Sequence, residues 1–305
     1  MNILILAHNR PESFKKLLTD CLAIKNAEIW ISIDRGNCKK NIEVIQMAEE
    51  KSLSHSSIHL QISDNNLGVR DGVYYGIDWF FNNIDRGVIL EEDLKINNKA
   101  LINLYSKITD VEFNVINLSC FDKYKVLDDS INLSKVLDFY MWGWLSNSST
   151  WNDFKLYRSK NIFDYFPHSF FIKLGFFSYL QWFFTAQLLK RGDIDSWGYR
   201  FLFFVIFTKK VVYRTSPPVV INNGLDHGAN YSKFTIKRSE LIYMSRLELL
   251  NYDSKSQINM YKTDLPNSDF IHAHNIRHNI TIYQTIKALF WIIFPFRNLV
   301  KRFLK

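Results

Sequence analysis

Three short apolar runs lie in the first third of the chain, and each one ends abruptly in polar residues. The runs cover residues 3–7, 29–33 and 88–90, and none of them alternates between apolar and polar positions. Unalternated runs of this length are typical of strands buried on both faces of a parallel sheet. Asn9, Asp34 and Asp93 lie close behind the three runs. We therefore predict parallel strands whose carboxyl ends carry these polar side chains.

Helical spacing occurs between the predicted strands. Pro11 suits the first turn of a helix, and apolar residues then recur at positions 14, 17, 18, 21 and 22. A second helical face comprises Leu101, Leu104, Tyr105 and Ile108. The alternation of strands and helices predicts an α/β fold whose ligands bind at the carboxyl ends of the strands.

Aromatic residues crowd the chain beyond about residue 142, where they alternate with basic residues. From about residue 237 the sequence is polar with helical spacing, and it ends in a hydrophobic and basic stretch. After Pro295 the apolar positions keep helical spacing, and basic residues fill the positions between them. We predict a helical C-terminal extension over residues 236–305 that ends in a basic amphipathic tail over residues 282–305.

Composition narrows the possible classes of protein. Of the 305 residues, 47% are apolar and 22% are charged, which excludes an intrinsically disordered chain. The net charge is +8 and aromatic residues make up 16% of the chain, which suits a membrane surface, nucleic acid or an aromatic core. Cys21, Cys38 and Cys120 have no CxxC or Cys/His spacing, so we expect neither a disulfide framework nor a zinc site.

The first residues predict a strand rather than a signal peptide. They lack a basic region, and His8, Asn9 and Arg10 interrupt the apolar run. No apolar stretch reaches the ~18 uncharged residues that a membrane-spanning helix needs. We therefore expect a cytoplasmic protein.

The acidic cluster Glu91-Glu92-Asp93 follows directly on a predicted buried strand, which holds its carboxylates at the edge of the sheet. Sites for Mg²⁺ or Mn²⁺ typically combine one or two protein carboxylates with phosphate oxygens. An acidic triplet is also typical of a solvated turn that caps a helix. Taken alone, the triplet leaves both readings open.

Three segments around this cluster carry a family resemblance. They are Asn-Leu-Gly-Val-Arg-Asp-Gly-Val at 66–73, Gly-Ile-Asp-Trp-Phe-Phe at 76–81 and Gly-Val-Ile-Leu-Glu-Glu-Asp-Leu at 87–94. In this order they resemble the core of nucleotide-sugar glycosyltransferases of the GT-A fold, in a bacterial surface-polysaccharide branch similar to family 2 and GlcNAc transferases. The resemblance spans roughly residues 1–232 and implies a Rossmann-like, mixed but mainly parallel sheet flanked by helices.

The resemblance implies roles for the residues that match the family's motifs. Asp93 matches the direct ligand of a divalent metal, Mn²⁺ or Mg²⁺. Contact with the nucleotide-sugar is implied for Asn9, Arg10, Pro11, Asp34, Asn66, Gly68, Arg70, Glu91 and Glu92. For Gly68, and for Gly72 and Gly76 beyond it, close packing of a helix on the sheet is an equally good reading.

Later segments extend the resemblance to the acceptor side. Met141-Trp142-Gly143-Trp144 resembles the family's Trp-Gly-Trp motif, and residues 195–201 and 217–224 resemble two elements that follow it. The resemblance thus implies that Trp142, Trp144 and Trp197 line the acceptor side. It also implies a catalytic domain over residues 1–235, with a nucleotide-sugar half at about 1–110 and an acceptor half at about 111–235.

The sequence departs from the family at two positions. The family has its catalytic Asp directly after a Trp, whereas this chain has Gly198 there. We expect Asp195 to act as the general base instead, although it could also cap the helix that Trp197 begins. The family's His falls at Tyr231, so His227 is the alternative metal ligand, although a lone His is more often structural.

Three further histidines, at 272, 274 and 278, have no acidic or Cys partner with ligand spacing. They therefore favour a solvated segment over a metal site.

These features predict a metal-dependent, inverting glycosyltransferase that moves a sugar from a nucleotide-sugar to a lipid-linked glycan of a bacterial O-antigen or capsule. The basic tail suits peripheral docking on the inner face of the cell membrane, but it could equally pack on the domain. Gly198 and the missing His leave a second hypothesis open, a degenerate scaffold without activity. A nucleic-acid partner is not expected, since no nucleic-acid-binding motif occurs.

Overall fold

The computed structural model describes residues 1–109, 111–119, 131–222, 258–261, 285, 286 and 289. Within these residues, nine strands form one sheet in the order β11-β7-β9-β6-β8-β4-β1-β2-β3, and β10 pairs with β5 in a second, small sheet. The strands are β1 (Asn2–Ala7), β2 (Glu28–Ile33), β3 (Ile58–Ile62), β4 (Arg86–Glu91), β5 (Leu94–Ile96), β6 (Val115–Asn117), β7 (Ile131–Val136), β8 (Trp144–Asn147), β9 (Val212–Ser216), β10 (Val220–Asn222) and β11 (Ile258–Tyr261).

Helices connect most of the strands. They are α1 (Pro11–Leu22), α2 (Lys39–Ser54), α3 (Gly68–Asn83), α4 (Asn98–Lys107), α5 (Ser148–Arg158), a short 3₁₀ helix (Ile162–Tyr165), α6 (His168–Lys173), α7 (Phe176–Lys190) and α8 (Trp197–Phe207). The predicted strands over residues 3–7, 29–33 and 88–90 are therefore confirmed. So are the two predicted helices, which are α1 and α4.

The first half of the sheet is parallel and has β1 at its centre. Ile3 lies opposite Ile29 of β2 on one side and opposite Val88 of β4 on the other. Successive residues of β1 point to opposite faces, so α1 and α2 pack on the face of Ile3, whereas α3 packs on the face of Leu4. From β1 the chain continues to β2 and β3 on one side of the sheet and then crosses to β4 on the other side of β1. Such a reversal of direction creates a crevice beyond the carboxyl ends of the strands at that point.

The second half of the sheet is mixed. β8 runs antiparallel to both β4 and β6, while β9 runs parallel to β6 and antiparallel to β7. The predicted fold class is thus confirmed as a mixed, mainly parallel α/β sheet flanked by helices.

The region of the predicted C-terminal extension includes a strand. Residues 258–261 form β11, which pairs parallel to β7 at the edge of the sheet, so this part is not helical. Residues 285, 286 and 289 are helical, and the basic amphipathic tail over residues 282–305 stays a prediction. The remainder of 236–305 lies outside the described residues.

Much of the aromatic surplus forms a core between α3, α5, α8 and the sheet. The rings of Phe139 and Trp144 lie 5.2 Å apart, and the rings of Trp144 and Phe201 are separated by the same distance. Such edge and tilted pairs add to the free energy gained by burying the rings. An aromatic core therefore accounts for part of the high aromatic content of the chain. Among the described residues, no helix is both long and apolar enough to cross a bilayer.

Candidate active site

The carboxyl ends of β1, β2 and β4 bring the predicted polar residues together. β1 is followed by Asn9 and Arg10, β2 by Asp34, and β4 by Glu92 and Asp93. β1 pairs with both other strands, so the three polar ends meet at one edge of the sheet. They lie at the crevice where ligands bind in folds of this kind.

Glu92 holds the loop between β1 and α1 in place. Its carboxylate accepts backbone N–H bonds from His8 at 2.9 Å, Asn9 at 3.1 Å and Arg10 at 3.2 Å. The side chain is buried, and its own backbone N–H donates to the carbonyl of Leu6. The structure thus gives Glu92 a positioning role for the loop, which the sequence did not reveal.

Arg10 and Asp93 form an ion pair across the crevice. Arg10 Nη1 donates to Asp93 Oδ2, and Arg10 is only partly exposed. Asp93 is buried, and its other oxygen, Oδ1, has no hydrogen-bond partner. Because a buried carboxylate oxygen without a donor is unfavourable, this atom is a suitable point for a cation.

Glu91 completes the acidic cluster. Burial raises the pKa of its carboxyl to about 7, while the charge of Arg10 opposes the rise and that of Glu92 adds to it. The three adjacent acids are therefore unlike in environment. Burial raises the pKa of Glu91, Glu92 binds the backbone, and Asp93 pairs with Arg10.

Asp34 organises the start of α3. Its Oδ1 accepts from Leu67 N at 2.8 Å and from Ser63 Oγ at 3.2 Å, and its Oδ2 accepts from Gly68 N at 3.0 Å. Asn66 adds a local bond, from Gly68 N to its Oδ1, also at 3.0 Å. Among the predicted contact residues, Asp34 thus holds the loop of Asn66 and Gly68, which connects β3 to α3, at the carboxyl end of β2.

The glycines of α3 differ in their surroundings. A Cβ on Gly76 would lie 2.7 Å from Leu6 Cδ2 and from Ser32 Oγ, so α3 approaches the sheet closely there. A Cβ on Gly72 would lie 3.1 Å from the Asp34 carboxyl. Gly68 has a φ of +81° and open space around it. Close packing accounts for Gly72 and Gly76, whereas backbone conformation accounts for Gly68.

Asn41 is a further site residue, which sequence analysis missed. It is fully buried in α2, and its Nδ2 donates to the carbonyl of His8 at 2.5 Å and to that of Asp34 at 2.9 Å. Its Oδ1 accepts from Gly36 N at 2.7 Å. Asn41 thus ties the ends of β1 and β2 together. A polar residue in the first turn of a helix gives no sequence signal for this role.

Arg70 and Asp195 meet although 125 positions separate them. Arg70 Nη1 lies 3.4 Å from Asp195 Oδ1, and Arg70 also binds Asp71 through two hydrogen bonds. The hydrogen bonds to Asp71 raise the pKa of Arg70 above its usual range. Ser196, not Asp195, caps α8, since Ser196 Oγ accepts from Tyr199 N. The capping alternative for Asp195 is therefore wrong, and its half-exposed carboxylate points to Arg70.

The Trp residues predicted for the acceptor side divide into two groups. Trp144 and Trp197 are buried, with ring centroids 6.1 Å apart in the aromatic core, so neither side chain is exposed for contact with an acceptor. Trp142 is only partly buried and packs against the other core. Gly198 lies next to Met141, whose Cε would be 2.5 Å from an added Cβ. Met141 thus fills the space into which the family's Asp would project.

The described residues fit a divalent cation in part. They contain no group of three His, Cys, Asp or Glu side chains placed to hold a metal. Asp93 offers one buried, unpaired oxygen, and Mg²⁺ or Mn²⁺ commonly binds one carboxylate and takes its other ligands from phosphate and water. His227, the second predicted ligand, lies outside the described residues.

Two cavities lie away from the polar groups that follow β1, β2 and β4. One, of about 690 Å³, borders the amino ends of β1 and β4 near Asn2 and Arg86. The other, of about 500 Å³, lies beside α3 and is lined by Asp71, Tyr74 and Trp79 among others. The polar groups at the carboxyl ends of β1 and β4 line neither of these two cavities.

No protein-family model and no curated protein matches the chain. Similar solved structures include the mannosyltransferase PcManGT from Pyrobaculum calidifontis in complex with GDP-Man and Mn²⁺, at 12% identity over 48% of this chain and 44% of that chain, with a TM-score of 0.34. S. aureus TarS 1-349 in complex with UDP-GlcNAc is 10% identical over 80% of this chain and 64% of that chain, with a TM-score of 0.45. The chain spans less than two thirds of either structure, and TM-scores this low assign neither a family nor a substrate.

Proposed function

We propose that the protein is a nucleotide-sugar-dependent glycosyltransferase whose donor binds in the crevice between β1 and β4. The observation that carries the proposal is the meeting of Arg10 and Asp93 at these strand ends, with one buried Asp93 oxygen left unpaired. A cationic and an anionic group side by side suit a diphosphate and its counterion. The sequence resemblance to GT-A enzymes supports the same reading.

The donor side would use residues that the structure already orients. Asp93 would hold a divalent cation through Oδ1, and when bound this cation would neutralise charge on the leaving diphosphate. Glu92 fixes the backbone of Asn9 and Arg10. The Arg10 guanidinium would therefore bind the same diphosphate. The loop of Asn66 and Gly68, fixed by Asp34, would border the nucleotide.

The acceptor side would use Asp195 as general base. An acceptor hydroxyl attacks the anomeric carbon, its proton passes to the Asp195 carboxylate, and the bond to the diphosphate oxygen breaks. A single displacement of this kind inverts the anomeric centre. Arg70 would orient Asp195 from 3.4 Å, and the partly exposed Trp142 would border the acceptor.

The substrate and the setting follow from the sequence resemblance alone. We propose a lipid-linked glycan acceptor in the assembly of a bacterial O-antigen or capsule, at the inner face of the cell membrane. The catalytic domain would cover residues 1–235, with its donor half at about 1–110.

A donor screen tests the proposal. The full chain is mixed with UDP-, GDP- and TDP-sugars, with and without Mn²⁺, and its thermal unfolding is followed. We expect one nucleotide class to stabilise the wild type only with Mn²⁺, and Asp93→Asn to lose this response. Absence of any donor binding by the wild type would contradict the proposal.

Donor turnover and a cellular assay separate the second candidate, a degenerate scaffold. Met141 fills the space beside Gly198, where the family carries its catalytic Asp, and this observation favours the scaffold. A scaffold predicts no donor turnover, and it predicts that cells carrying Asp93→Ala keep their surface polysaccharide. An enzyme predicts that this variant loses it.

A further inference from the structure

The turn between α6 and α7 exposes three large apolar side chains. Ile172 is 59% exposed, Phe176 69% and Phe177 46%, and the centroids of the two Phe rings lie 5.7 Å apart. We call these residues, together with the exposed Lys173, the α6–α7 tip. The residues around the tip are buried in the aromatic core, namely Phe170, Phe171, Leu174 and Trp182. The turn is thus anchored on its inner side while its outer side remains apolar.

The composition of α7 is unusual for a helix at a protein surface. No charged residue occurs between Phe176 and Leu189, and the polar residues of this span are uncharged, namely Ser178, Gln181, Thr185 and Gln187. A helix without charge over most of its length is normally covered in large part by protein or lipid. The 15 residues of α7 extend about 22 Å, which is shorter than the ~30 Å hydrocarbon core of a bilayer. The helix therefore fits a location at a membrane interface better than a path across the membrane.

The charged residue at the tip is basic. Lys173 is exposed, and residues 165–192 contain no Asp or Glu, while Lys190 and Arg191 lie at the far end of α7, where Arg191 pairs with Asp193. Exposed Phe rings beside basic side chains match the boundary between acyl chains and anionic headgroups. A second copy of the chain would bring the same positive charge against itself, which disfavours self-association through this surface.

The C-terminal tail begins beside α7. Thr285 Oγ1 lies 3.4 Å from Gln181 Oε1, and the neighbouring Ile286 and Leu289 are exposed. The sequence from residue 285 to residue 305 contains five basic residues and no acidic residue. The sequence that begins at Thr285 is therefore apolar and basic, like the tip.

We propose that the α6–α7 tip docks on an anionic lipid surface, with Phe176 and Phe177 in the acyl boundary and Lys173 among the headgroups. The inference does not depend on glycosyl transfer, since it needs neither donor nor metal. It locates a membrane contact in the body of the protein rather than in the tail alone.

Vesicle flotation of the full chain tests this proposal. Phosphatidylcholine vesicles with and without phosphatidylglycerol are compared for the wild type, a Phe176→Ser/Phe177→Ser double variant and Lys173→Glu. We expect the wild type to float with the anionic vesicles, and the double variant to bind them roughly tenfold more weakly. We expect Lys173→Glu to weaken binding as well, with the difference shrinking at high salt. Leu53→Ser is the matched control, because Leu53 is 91% exposed and lies on α2.

Several outcomes would overturn the proposal. Wild-type protein that fails to bind anionic vesicles would do so, as would tip variants that bind as well as the wild type. A wild-type oligomer that the double variant dissociates, with vesicle binding unchanged, would identify the surface as a contact between copies instead. Thermal unfolding checks that the variants fold, and if the double variant does not, Lys173→Glu decides the outcome.

Discussion

Arg10 and Asp93 form an ion pair across the carboxyl ends of β1 and β4, although 83 positions separate them in the sequence. The pair uses one oxygen of Asp93 and leaves the other buried without a partner. A cation at this oxygen would relieve the cost of burying it unpaired. In the proposed function, the pair marks the point where a metal and a diphosphate would meet.

Replacement of Asp93 by Asn tests this point directly. The substitution keeps the shape of the side chain and removes its charge, so we expect transfer to fall roughly 100-fold or more and Mn²⁺-dependent donor binding to disappear. Transfer is measured with the donor found by thermal shift. Asp64→Asn, which alters an exposed carboxylate, serves as the control. A variant at position 93 that responds to Mn²⁺ like the wild type would exclude the metal role.

Glu92 gives a prediction about stability rather than chemistry. Glu92→Gln replaces a carboxylate that accepts three backbone bonds by a group with only one acceptor oxygen. We expect the free energy of unfolding to fall by about 2–4 kcal/mol, since hydrogen bonds to charged groups are strong and buried donors are left unpaired. Urea denaturation measures the change, with the exposed Glu50→Gln as control. Equal stability of the two variants would show that Glu92 does not hold the loop.

Sequence patterns predicted where the polar groups meet but not what each one does. Apolar runs locate strand ends, and parallel strands place these ends at one edge, so Asn9, Asp34 and Asp93 could be grouped from sequence alone. The different roles of Glu91, Glu92 and Asp93 depend on their contacts in the folded chain. Three adjacent acids look alike in a sequence, and they differ only in how each one contacts the loop between β1 and α1.

Aromatic residues illustrate the same limit. A Trp in a motif is equally compatible with a ligand-facing wall and with a core, and the pattern of Trp144 and Trp197 does not separate the two. Antiparallel pairing of β8 with β4 and β6 turns Trp144 into the core, where Phe139 and Phe201 surround it. Long-range pairing of this kind has no local sequence signal.

Gly76 should tolerate a side chain poorly. A methyl group there would meet Leu6 and Ser32 of the sheet at 2.7 Å, and neither a strand residue nor α3 can move away without disturbing the other contacts. We expect Gly76→Ala to lower the free energy of unfolding by about 1–3 kcal/mol, although Ala favours helices. Val69→Ala, at an exposed position of the same helix, is the control in urea denaturation. A stabilised Gly76→Ala variant would contradict the close approach.

Two cysteines should differ sharply in reactivity. Burial raises the pKa of the Cys21 thiol far above its usual range, whereas Cys38 is exposed. Because the thiolate is the reactive form, we expect iodoacetamide to modify Cys38 in the native chain and Cys21 only after unfolding. Peptide mass spectrometry measures both sites in one sample. Similar rates at the two thiols under native conditions would show that the helix α1 does not stay packed.

Asp195 gives the test that distinguishes an active enzyme from a scaffold. Its carboxylate is 56% exposed and lies 3.4 Å from Arg70, and the helix cap beside it is supplied by Ser196. If Asp195 takes the acceptor proton, Asp195→Asn should lower transfer roughly 10²- to 10⁴-fold with donor affinity unchanged. Asp195→Glu should recover part of the rate, because it restores a carboxylate near the same place. The exposed Asp164→Asn is the control. A donor that binds and is turned over equally by wild type and Asp195→Asn would assign the base to another residue.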